Sequence, residues 1–178
     1  TNERSRLVSH LVRSKYDCII STSKTINEDN ALLNCRIKGL ESYQPDLIIV
    51  DRHLKLKKSL KLLKLNKIRK TYIITSSNNY KKINYFKKKR FIIVKIKSLD
   101  EKKDFRYFIN KLFQIGKRRI LVESGLIFLN KLLNFELINN LFIFKTNFSL
   151  KNYGFNNTKN NFLKKYKLNN FIKVNLDN

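Results

Sequence analysis

The chain has 178 residues, 42% of them hydrophobic, and carries 39 Lys and Arg against 13 Asp and Glu, a formal net charge of +26. That is the length of one domain with enough apolar mass for a buried core. No apolar run approaches the roughly eighteen residues of a membrane span and no signal-peptide pattern opens the chain, so the expected location is cytoplasmic.

Cys18 and Cys35 lack CxxC spacing, and only two His accompany them. This excludes a disulfide scaffold and argues against a structural zinc site. The charge invites a nucleic-acid reading, since clustered cations neutralise phosphates. Yet Lys heavily outnumbers Arg, Asn, Ile and Phe are abundant, and only 4 Gly and 1 Pro occur. An AT-rich genome produces that profile through its codons, and charge speaks to solubility rather than fold. Met is absent, including at Thr1, so the chain is expected to be processed or a piece of a longer one.

In chain order, Leu7, Val8, Leu11 and Val12 share one face at helical spacing, and Arg13 ends that helix. Cys18-Ile19-Ile20 reads as a strand running into a polar loop from Ser21 to Asn30. Pro45 marks the boundary before a second strand, Asp46 to Asp51. Leu54 to Leu65 looks like a solvated amphipathic helix, and Lys81 to Arg90 like a surface connection. Thr71 to Thr75 and Phe91 to Ile96 are further β-branched strands.

Asp104 is placed to cap a helix through Phe105, Phe108, Ile109, Leu112 and Phe113, which Gly116 terminates. A strand from Ile120 to Glu123, the turn Ser124-Gly125 and a helix through Leu126, Leu129, Leu132 and Leu133 follow. Leu141 to Phe144 and Phe171 to Val174 are expected as closing strands. The alternation implies an α/β sheet, mostly parallel, with an antiparallel C-terminal part.

Arg13, Thr25, Asp29 and Arg36 lie where they can converge on one ligand, with Arg13 and Arg36 as a phosphate clamp of two guanidinium forks. Asp29 suits hydroxyl binding or proton transfer, although a lone aspartate in such a loop is more often an Asx-turn residue. Glu123-Ser124-Gly125 hands a strand to a helix, whose free N–H groups and positive dipole end suit an anionic cofactor, or which is a plain tight turn. The aromatic residues fall at core spacing, against a stacking platform for single-stranded nucleic acid.

The stretch Thr1-Asn2-Glu3-Arg4-Ser5-Arg6-Leu7-Val8-Ser9-His10-Leu11-Val12-Arg13, the run Asp17-Cys18-Ile19-Ile20 and the segment Thr25-Ile26-Asn27-Glu28-Asp29-Asn30-Ala31-Leu32-Leu33-Asn34-Cys35-Arg36 resemble the reductase domain of bacterial riboflavin biosynthesis. In that family a helix ending in arginine leads to a strand and a T-V-x-x-D-D-P-x-L-T-x-R loop. Ile49-Val50-Asp51 matches its V-x-D strand, Leu121-Val122-Glu123-Ser124-Gly125 its V-E-G-G turn, and Leu137 to Phe148 its penultimate strand region.

The resemblance implies a dihydrofolate-reductase-like fold. It also implies NADPH-dependent reduction of 5-amino-6-(5-phosphoribosylamino)uracil, a phosphorylated pyrimidine, to the ribitylamino product. Arg13, Leu33, Arg36 and Glu123 would contact substrate. Thr25, Asp29 and the turn from Gly125 through Leu126 and Ile127 would contact NADPH, and Asp29 would also assist proton delivery.

Asn30-Ala31 replaces the family's Asp-Pro, and Ser124 replaces a Gly or Ala. Arg52 stands where a small polar residue usually follows the strand aspartate, and is expected to reach the 2′-phosphate of NADPH. The family's first strand and its upstream zinc deaminase have no counterpart. Residues 1–178 are therefore expected to be a reductase domain without its first strand, with an unpaired sheet edge, no metal of its own and a homodimer as one option. The competing expectations are a basic nucleic-acid-binding protein and a catalytically silent relative of the reductase.

Overall fold

The computed structural model, which describes residues 2–64, 68–144 and 172–174, threads five short strands through one sheet. Its elements are α1 (Glu3–Ser14), β1 (Cys18–Thr22), α2 (Ser23–Asp29), β2 (Asp46–Val50), β3 (Thr71–Thr75), α3 (Tyr80–Lys88), β4 (Phe91–Lys95), α4 (Lys102–Gln114), β5 (Ile120–Val122) and α5 (Leu126–Asn134), with a 3-10 turn at Lys61–Lys64. The strand order is β4-β3-β2-β1-β5, and every pairing among the described residues is parallel.

Side chains of successive strand residues point to opposite faces, so apolar strands buried on both sides need two cores. Ile19, Leu47, Ile49, Ile73 and Leu121 meet Ile26 of α2 and Ile83 and Phe86 of α3 on one face, with Val12 of α1 packed alongside. Cys18, Ile20, Ile48, Val50 and Ile74 meet Phe105, Phe108 and Leu112 of α4 and Leu132 of α5 on the other. Each such side chain stabilises the fold by about 1.5–3 kcal/mol on burial. Burial also pushes the Cys18 thiol up to about 12, so it stays protonated.

Four local expectations are corrected. Residues 23–29 are the helix α2 rather than loop, because the Thr22 side chain accepts the N–H of Thr25 and caps it. Residues 80–88 are the helix α3 rather than a surface connection: Asn79 caps it by accepting from Lys82 N, and Ile83 and Phe86 anchor it. The N-cap of α4 is Glu101, and Asp104 lies one turn inside, reaching back to the N–H groups of Asp100 and Glu101.

Residues 54–64 form no amphipathic α-helix; Leu65 lies outside the described residues. Leu54 has a left-handed backbone, and the buried Asp51 carboxylate captures the N–H groups of Lys55 and Leu56 at 2.8 Å each. Leu54, Leu56, Leu60 and Leu62 are buried from this irregular path. Gly116 ends α4 as expected: its φ of +82° lets Lys117 N reach Leu112 O.

No antiparallel part exists among the described residues. Leu141 to Phe144 and Ile172 to Val174 form no strand, since none of them joins the sheet's hydrogen-bond ladder. Residues 145–171, which include most of the expected connection and Phe171, lie outside the description.

Candidate active site

Chain order determines where this sheet can bind. From β1 the chain adds β2, β3 and β4 outward on one side, then returns to lay β5 against the other side of β1. The segments leaving β1 and β5 therefore part company at the strands' carboxyl ends, opening the crevice where parallel α/β sheets take ligands. A cavity of about 470 Å³ opens there, lined by Arg13, Thr25, Glu28, Asp29, Ala31, Leu33, Glu123, Ser124 and Gly125.

Three local structures shape it. Thr25, in the first turn of α2, accepts the N–H of Gly125 at 3.0 Å and joins the two diverging segments. Gly125 starts α5 with an ordinary negative φ, and no described side chain caps that helix. Its first N–H groups thus remain available beside the cavity, a ready seat for negative charge.

Arg13, in the last turn of α1, meets Glu123 just past β5 through two parallel bonds, Nε to Oε1 and Nη2 to Oε2, both 2.7 Å. Their side chains are 15% and 28% exposed, so this forked pair is screened less than a surface ion pair. The remaining Arg13 nitrogen, Nη1, donates to Asn34 O at 3.2 Å, and His10 Nδ1 lies 3.0 Å from the same carbonyl. Partial burial, then the Arg13 guanidinium, holds the His10 pKa below the ordinary 6.5, although the Asn34 carbonyl opposes this.

Leu33 lines the cavity with a left-handed backbone, φ 50°, which costs a branched residue about 1 kcal/mol. Residues 31–37 join no ladder, so side chains must satisfy their buried backbone groups. Arg69, 7% exposed, donates to the carbonyls of Leu32 and Leu33 and, at 3.4 Å, of Pro45. Gln44 accepts from Cys35 N at 3.1 Å and donates to Cys35 O at 2.8 Å.

Of the residues singled out from sequence, the cavity gathers Arg13, Thr25, Asp29, Leu33, Glu123 and Gly125. Arg36 is exposed outside the lining, near enough to add to the positive field at His10. A symmetric Arg13–Arg36 clamp is therefore absent from this geometry, because the Arg13 fork is engaged by Glu123. Arg52 also lies outside the lining, donating to Asp100 at 2.6 Å, while Leu126 and Ile127 follow Gly125 into α5. Asp29 ends α2, exposed, with no hydrogen bond or ion pair to its carboxylate among the described residues.

Sequence reasoning missed Glu28 and Ala31 as lining residues, although each neighbours one it found, and it named Ser124 only within the Glu123-Ser124-Gly125 turn. It also missed Arg69, Gln44, His10 and Asn34 as supports. Arg69 gives no pattern signal, standing among lysines in a segment without periodicity. With Glu28, Asp29 and Glu123 against Arg13, the lining is locally acidic in a strongly basic chain. Among the described residues no group of three His, Cys, Asp or Glu is placed to hold a metal ion, and no helix is long and apolar enough to cross a membrane.

Comparison with known proteins adds the kinship. The family described as the RibD C-terminal domain matches residues 1–146. The riboflavin biosynthesis protein RibD of Actinobacillus pleuropneumoniae is 26% identical over 125 residues, covering 70% of this chain and 33% of that protein. Among solved structures, RibD of Acinetobacter baumannii superposes with a TM-score of 0.65 at 20% identity, over 78% of this chain and 37% of the other. The riboflavin biosynthesis reductase Rib7 of Saccharomyces gives 0.55 at 22% identity, over 74% and 58%. These superpositions establish a shared fold, and the chain spans about a third of the length of the RibD proteins it matches. By the family match over most of its length, the chain belongs to the RibD C-terminal domain family.

Proposed function

We propose that residues 1–178 act as one reductase domain that uses NADPH to convert 5-amino-6-(5-phosphoribosylamino)uracil to its ribitylamino product. The observation carrying this reading is the cavity at the β1/β5 divergence, which gathers Arg13, Thr25, Asp29, Leu33, Glu123 and Gly125 in a chain of the RibD C-terminal domain family. Its volume suits small molecules.

The residues present fit a dinucleotide: the uncapped first turn of α5 offers N–H donors, and Thr25 steadies the Gly125 turn that leads to them. Gly125, Leu126, Ile127, Thr25 and Asp29 would hold the cofactor, with Arg52 toward a 2′-phosphate. When bound, NADPH supplies the hydride for the sugar carbon.

The chain's own work is then positional, and orientation contributes most of the rate. Arg13 fixes the Glu123 carboxylate so that its outer lone pairs face substrate polar groups. Leu33 packs against the substrate's apolar surface, and Arg36 at the rim draws in its phosphate. Asp29, whose carboxylate is committed to no described partner, is the group available to take a proton from solvent and relay it.

The test is loss of NADPH absorbance with the phosphoribosylaminouracil substrate. Turnover that falls sharply in Asp29→Ala and Arg36→Ala supports this reading. A folded protein that binds NADPH without oxidising it, or binds neither ligand, overturns it.

A further inference from the structure

Backbone carbonyls buried outside any helix or strand must find their donors elsewhere, and those of Leu32, Leu33 and Asn34 find them in side chains. Arg69 takes the first two, and Arg13 takes the third at 3.2 Å. The left-handed backbone of Leu33 accompanies this arrangement, in which one planar fork meets two successive carbonyls. Arg69 is not itself part of the cavity lining, sits outside every sequence motif, and is 7% exposed.

We propose that Arg69 is the positioning residue for the Leu33 wall of the cavity, holding residues 32–34 so that Leu33 and the Arg13–Glu123 pair keep one fixed spacing. This rests on the proposed function only in naming that wall the substrate's side. The opposite wall depends on a different contact, Thr25 to Gly125, and on the uncapped end of α5. Loss of the Arg69 fork therefore acts on one ligand and spares the other.

Two alternative chemistries for Arg69 do not fit. It forms no ion pair among the described residues: the carboxylate that acts on it most, Asp46, is itself held by Lys117 at 2.6 Å and by Lys70 N at 3.0 Å. Nor does Arg69 serve as a proton donor: its two Nη groups are directed at carbonyls, its buried Nε faces no acceptor among the described residues, and, even with burial bringing its pKa down to about 10, it stays charged at neutral pH. What remains is geometry, and a lysine cannot reproduce it because one ammonium has no planar fork.

The experiment uses Arg69→Lys, which keeps the charge and removes the fork, with Lys117→Met as the comparison. The latter breaks the Lys117–Asp46 ion pair at the amino end of the same sheet, leaves the Arg69 fork in place and controls for general loss of stability. Amide hydrogen exchange is read first. Arg69→Lys is expected to speed exchange of residues 32–35 about tenfold while β1 and β5 keep their protection, and Lys117→Met to leave residues 32–35 in step with β1. In the assay, Arg69→Lys is expected to raise KM for the aminouracil substrate about tenfold, with KM for NADPH and kcat within about threefold.

Unchanged exchange at residues 32–35, or faster exchange there only in proportion to β1, overturns the proposal. So does an equal rise in both KM values. Should the parent chain fail to oxidise NADPH, the proposed function falls while the exchange measurement still decides the role of Arg69.

Discussion

The two ends of the sheet use the same kinds of residue for opposite purposes. At the amino end, Asp17 accepts the N–H groups of Arg118 and Arg119 at 2.8 Å each, and Asp46 accepts from Lys70 N while pairing with Lys117. Those backbone bonds outweigh the opposing cost of burial and hold the Asp17 carboxyl below the usual range. Both Asp17 and Asp46 are spent on closing the fold. At the carboxyl end, Glu123 shares a fork with Arg13 but keeps outward lone pairs, Asp29 has no described partner, and α5 begins uncapped. Saturated charge staples a fold, whereas charge with spare capacity is what a ligand can use.

That contrast predicts separable consequences. The largest effect is expected from Arg13→Met, which leaves Glu123 unaligned: kcat/KM for the aminouracil substrate should fall about 100-fold. NADPH binding, followed by titration, should change less than threefold. A comparable loss of both would mean the two walls are one unit.

Lys117→Met should do the reverse. Removing one partner of this largely shielded pair costs about 2 kcal/mol, read as a lower urea midpoint with an unchanged slope. Its kcat/KM should stay within about twofold of the parent, and a larger kinetic loss would erase the distinction between the ends.

Thr25→Val removes the acceptor of Gly125 N and should raise KM for NADPH about tenfold, equivalent to about 1.4 kcal/mol. Arg52→Ser should narrow the preference for NADPH over NADH only about fivefold, in keeping with an exposed pair worth about 1 kcal/mol or less. An unchanged preference would remove Arg52 from the cofactor site.

The subtlest test is pH. The folded pKa of His10 lies below its ordinary 6.5, so the unfolded chain binds the proton more readily. The stability linked to His10 is present above about pH 6.5 and is lost as pH falls through that value toward the folded one. Urea midpoints of the parent should therefore decline on acidification from about pH 7.5 to about 5.5 more steeply than those of His10→Gln. Parallel declines would show that the group senses neither Arg13 nor burial.

How much of this was legible beforehand varies with the reach of each interaction. The strands at 18–20, 46–50, 71–75 and 91–95 announced themselves through apolar, β-branched runs. Helix α3 did not, because Ile83 and Phe86 are its only fully buried residues amid Lys81, Lys82, Lys87 and Lys88. The leucines from Leu54 onward imitated a helical face, while the decisive groups, the Asp51 carboxylate and the left-handed Leu54, leave no periodic trace. Arg13 and Glu123 were each marked by the resemblance, but their pairing across 110 positions exists only because β5 returns to β1. The supports of residues 32–35 are scattered over His10, Arg13, Gln44 and Arg69, and none lies near them in sequence except Gln44.

The two arginines that hold consecutive carbonyls have an evolutionary consequence in a chain dominated by lysine. A single base change turns an arginine codon into a lysine codon, and at exposed positions such as Arg106 or Arg118 the exchange leaves charge and solubility as they were. At Arg13 and Arg69 the same exchange removes a two-pronged grip that an ammonium cannot copy. Exchange of arginine for lysine therefore meets two kinds of position here, one tolerant and one not. Arg13 and Arg69, where the exchange would be felt, mark the cavity's fixed wall.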